Sequence, residues 1–192
     1  MNRWARAFPI ALVATLCACD RAPDSAEAPA PAPAEVVAEV VADSNCGDTS
    51  ALAAELYGSI ERTLSWSAAD MRCESMRRPD GDGIRLRFTG KAAERQLAII
   101  LALPGLEPGS TGKEFPTVAT LTVEGSGRFF STPNLDSCWS DISAHDVIDE
   151  VERRYEVAGT LYCVAPLGEV NGEAAISIPK LEFRSVIDWG AV

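Results

Sequence analysis

Cys46, Cys73, Cys138 and Cys163 carry the most definite chemistry in this chain. No two of them lie within four residues of each other, so the spacings of a zinc knuckle and of a CxxC redox pair are both absent. Four widely spaced cysteines instead suit a disulfide framework, which persists only outside a reducing cytoplasm. Three pairings are open. Cys46–Cys73 and Cys138–Cys163 are preferred, because neighbours in sequence close the smallest loops. In the chain-entropy account each such bridge contributes about 3–4 kcal/mol.

The remaining chemistry is sparser. His145 is the only histidine, and nothing around it resembles a nucleophile elbow, so a triad mechanism lacks its other parts. Asp80-Gly81-Asp82-Gly83 has the alternate carboxylates of a calcium loop, but the twelfth position is Lys91 where a glutamate is needed, and a hairpin turn is the better reading. Asp146, Asp149, Glu150 and Glu152 form the densest acidic cluster, followed by Arg153 and Arg154. Together with Trp139 they are the candidate binding residues, able to receive a cation or a basic partner if they are not simply a solvated turn. Trp66, Trp139 and Trp189, with Phe129 and Phe130, could line a groove or fill a core. Gly-rich phosphate loops, HExxH and GxSxG are missing, so neither a cofactor nor a catalytic metal is expected.

Arg3 and Arg6 precede the ten apolar residues Ala7 to Leu16, and Leu16-Cys17-Ala18-Cys19 follows. As helix this apolar run spans about 15 Å, half of the roughly 30 Å of a bilayer core, which suits a secretory leader rather than a membrane span. The tetrad resembles the lipobox of bacterial lipoproteins, with Cys17 where a small Ala or Ser is commoner. The resemblance covers residues 1–20 alone and implies removal of residues 1–18 and acylation of Cys19. Two or more acyl chains would anchor the protein stably in the inner or outer membrane, with the rest in the periplasm or at the cell surface. Asp20 resembles the residue that retains some lipoproteins at the inner membrane.

The elements that would position these residues begin after a tether. Residues 19–44 include Ala28-Pro29-Ala30-Pro31-Ala32-Pro33, which has nothing bulky to bury and favours extended geometry. Residues 45–192 read as a single globular domain. Leu52, Leu56 and Ile60 fall four apart behind Asp48, Thr49 and Ser50, so the spacing predicts a helix over 50–63. Downstream the period is two. Met71–Met76 and Ile84–Phe88 read as a hairpin, Gln96–Leu103 as a central strand, and Val118–Val123 turns into Arg128–Ser131. Tyr155–Val164, Ala174–Ile178 and Leu181–Trp189 follow as strands, while Ser143–Arg154 fits either a helix or, preferably, a strand paired to Tyr155–Val164. The fold class expected is mainly β with one N-terminal helix (α+β), an antiparallel sandwich or barrel-like sheet stapled by disulfides.

Charge narrows the partners. The chain holds 17 basic and 28 acidic residues, a net charge of −11; loss of Arg3 and Arg6 with the leader leaves 15 against 28, or −13. Such a surface is repelled by nucleic acid. The expectation is a non-catalytic, lipid-anchored binding or scaffolding module of the cell envelope, with an unknown envelope protein or small ligand as partner. A binder or inhibitor of a cationic protein or peptide is the alternative, and a hydrolase using acidic residues ranks below it.

Overall fold

A computed structural model describes residues 46–79 and 82–190. The leader, Cys19, the 19–44 tether, and Asp80 and Gly81 of the aspartate-glycine motif lie outside these residues. Among the described residues thirteen strands occur in the order β1 (Ala51–Gly58), β2 (Arg62–Ser67), β3 (Met71–Arg77), β4 (Ile84–Ala92), β5 (Arg95–Leu103), β6 (Gly112–Pro116), β7 (Val118–Val123), β8 (Arg128–Ser131), β9 (Cys138–Asp149), β10 (Arg154–Cys163), β11 (Leu167–Glu169), β12 (Ala175–Ser177) and β13 (Lys180–Asp188). The only helical piece among the described residues is the 3-10 turn Leu135–Ser137, which Asn134 caps through its side chain.

The helix expected over 50–63 is therefore not formed. A spacing of four residues is also two periods of a strand, so Leu52 and Leu56 satisfy either geometry. Ala54 decides between them: Leu52, Ala54 and Leu56 are buried while Ala51, Ala53 and Glu55 are exposed, the alternation of a half-buried strand. Gly58 ends β1 at φ +100°, and a Cβ there would stand 2.6 Å from the Ala175 carbonyl. Only glycine fits that approach.

Every strand pairing is antiparallel. One arm runs β3-β4-β5-β7-β8-β11-β12 and the other β1-β13-β10-β9-β6, with β2 hydrogen-bonded to the far side of β1. β1 joins the arms: its residues 51–54 pair with β13, and Tyr57 and Gly58 pair with β12. The sheet is open rather than closed into a barrel, since β3 and β6 end the path. Alternating apolar residues from both arms share one core, in which the Phe88 ring of β4 lies 6.4 Å from that of Phe183 in β13. Trp66 of β2 lies flat on Gly90 of β4, where a Cβ would come within 2.6 Å of the indole.

Disulfides join Cys46 to Cys73 and Cys138 to Cys163, the connectivity with the shortest loops. The first ties the segment ahead of β1 to β3, and the second staples the paired ends of β9 and β10, where the two cysteines face each other in register.

Candidate functional site

Asp149 sits where β9 turns into β10, and its Oδ1 accepts the backbone N–H of Val151 at 2.8 Å and of Glu152 at 3.0 Å. That oxygen builds the turn. Glu152 lies 4.0 Å from the Arg154 guanidinium, with both groups well exposed, a pair worth little in water. Asp146 and Glu150 face solvent, and Val151 at the tip is 93% exposed. The four acidic candidates thus share one hairpin, but they do not converge on a cavity.

Trp139 stands at the opposite end of β9, stacked on Tyr162 of β10 with ring centroids 6.1 Å apart. Ten residues of strand separate it from Asp149, about 30 Å at strand rise. Trp139 and the acidic hairpin therefore belong to different places. The other aromatics are also dispersed: Trp66 is buried against Gly90, Phe130 is fully buried and Phe129 is half exposed.

His145 is buried and saturated. Its Nδ1 lies 3.0 Å from the Ser110 carbonyl, to which it donates, and its Nε2 accepts the Trp189 indole N–H at 3.2 Å. The Tyr155 ring packs edge-on against the imidazole at 5.3 Å. Burial pushes its pKa below the ordinary histidine value, against the opposing influence of the Ser110 carbonyl and Asp146. The ring is held neutral as a core element, with no nitrogen left for a substrate. Among the described residues no group of three or more His, Cys, Asp or Glu side chains is placed to hold a metal, and no helix is long and apolar enough to cross a membrane.

A broad concavity lies elsewhere. A groove of about 730 Å³ runs beside β2 and the nearby ends of β3, β4 and β5, lined by Arg62, Trp66, Asp70, Arg72, Lys91 and Gln96 among others. Trp66 anchors its wall by donating its indole N–H to the Lys91 carbonyl at 2.8 Å. Asp70 belongs to the turn between β2 and β3: the hydroxyl and N–H of Ser67 both donate to its carboxylate and hold its pKa below the usual carboxylate value. Elsewhere on the surface Arg87, Arg128, Lys180 and Arg184 each pair with a glutamate at 2.6–2.9 Å. Arg62, Arg72 and Lys91 have no ion-pair partner among the described residues.

This groove was not legible in the sequence. Its cations are ten and nineteen residues apart and belong to no motif, and they meet only where β2, which pairs with β1, packs Trp66 against Gly90 of β4. Compared with protein-family models, curated proteins and solved structures, the chain matches none of them.

Proposed function

We propose that this protein is a lipid-anchored component of a bacterial cell envelope whose β-domain binds a partner and does not catalyse a reaction. The observation that carries the reading is the pair of disulfides. All four cysteines of the domain stand in bonded pairs, a state that lasts only outside a reducing compartment and agrees with the leader ahead of Cys19. His145 supports the non-catalytic half, because both of its ring nitrogens are committed to the core. In this reading residues 19–44, Ala/Pro-rich in sequence, serve as a spacer whose reach from chain length alone is at most about 80 Å.

Intact mass of the protein extracted from membranes tests the reading. The chain is expected to begin at Cys19 with a diacylglyceryl and a further acyl group attached, and Cys19→Ser is expected to abolish the modification and release the protein from the membrane fraction. An unmodified Cys19 behind an intact leader would overturn it.

A further inference from the structure

Among the described residues β2 presents a free edge. The backbone N–H of Ser67 donates to Asp70 Oδ2 and its C=O accepts from Asp70 N, so Ser67 turns both groups away from β1. In an antiparallel ladder this orientation alternates, and therefore Thr63 and Ser65 also aim their N–H and C=O outward, along the groove. β2 pairs with β1 alone, so these groups have no strand partner among the described residues. Beside them stand Arg62, Arg72 and Lys91, uncompensated in a chain whose carboxylates outnumber its cations by 28 to 17. Three cations against one acid make this lining locally basic, against the general charge of the chain. Asp70, whose carboxylate is held by Ser67, is the one acid on the lining.

From this we infer that the groove is a strand-addition site: an extended, acidic peptide segment of a partner protein pairs antiparallel or parallel with β2 through Thr63 and Ser65 and places carboxylates against Arg62, Arg72 and Lys91. Main-chain hydrogen bonds supply the affinity in this mode, and the charges select the sequence. Short polar side chains at Thr63 and Ser65 leave room for the added strand's own side chains. The inference rests on the reading of the domain as a binding module and names the class of partner.

The test uses the full-length protein in neutral detergent and a labelled ten-residue peptide of alternating Glu and Thr, followed by fluorescence anisotropy. Saturable binding is expected, weakened at least tenfold by the double variant Arg72→Glu/Lys91→Glu. Ser65→Pro removes an outward N–H without touching the β1–β2 ladder, since proline is tolerated on the open side of an edge strand. It is expected to weaken binding at least tenfold while the circular-dichroism melting curve keeps its cooperativity. The same peptide N-methylated at alternate residues reads the backbone pairing with no change to the protein and is expected to lose at least tenfold. Absence of saturable binding, or equal binding of the N-methylated peptide, would overturn the proposal. So would displacement by inorganic polyphosphate combined with indifference to Ser65→Pro, which would mark the groove as a site for any polyanion. The mass of Cys19 is read separately, so failure here leaves the anchoring proposal standing, and the reverse also holds.

Discussion

His145 makes a pH-sensitive joint between three pieces of the domain: β9, the loop at Ser110 and the end of β13 at Trp189. Its neutral tautomer satisfies both contacts, whereas a proton on Nε2 would face the indole N–H. Because burial lowers the folded-state pKa, the unfolded chain binds more protons in the window just below the ordinary histidine value of about 6.5. The stabilisation is complete above that value and is lost as pH falls through it, at no more than about 1.4 kcal/mol per pH unit. Urea midpoints taken from pH 7.5 to 5 are expected to fall, and His145→Leu, although less stable at pH 7.5, is expected to show a flatter slope. Gly90 is the other residue with a narrow tolerance. Gly90→Ala would drive a methyl into the Trp66 indole, and such overpacking costs about 1–3 kcal/mol. A lower urea midpoint with altered tryptophan fluorescence is the expected outcome.

At the scale of elements, β1 provides a direct check of strand against helix. Ala54 is buried and Ala53 is exposed, although both flank the Leu52–Leu56 stripe. Ala54→Glu is expected to cost more than about 2 kcal/mol by burying a charge without a partner, and Ala53→Glu to stay within about 0.5 kcal/mol. A helix buried along that stripe would not separate the two positions so sharply. Most of the later strands were readable because their alternation is unambiguous: Ile84, Leu86 and Phe88 are buried between less buried or polar neighbours, and the pattern leaves no second period. β6 was not readable, since its GKEFP sequence has glycine and proline at its ends and mostly exposed positions between. β2 was hidden for another reason, as Leu64 and Trp66 alternate clearly but sit directly behind a segment with apparent helical spacing. The acidic cluster was legible because its members, Asp146 to Glu152, lie close together in sequence. The cationic groove was not, because it arises where β2 packs beside strands it does not pair with.

For the whole molecule, the disulfides carry a large share of the stability. Each closes a loop of about 25 residues and contributes about 3–4 kcal/mol in the chain-entropy account, against a typical total of 5–15 kcal/mol for a domain. Replacing Cys138 and Cys163 together by Ser is expected to lower the urea-unfolding free energy by about 2–4 kcal/mol, measured beside the unreduced parent. Full reduction in thiol is expected to remove more than either double replacement. The pairing of β1 with β13 has a further consequence, for the birth of the chain. Among the described strands β1 comes first and is the hinge of both arms; β2 follows at once on one side of it, yet its partner on the other side comes last, and Leu52 must meet Phe183, 131 residues later. At about 5–20 residues per second a ribosome needs roughly 7–26 s to cover that distance. Throughout this interval β1 can pair with β2 alone and its other edge stands open, long enough to stick to a neighbouring nascent chain unless a chaperone shields it.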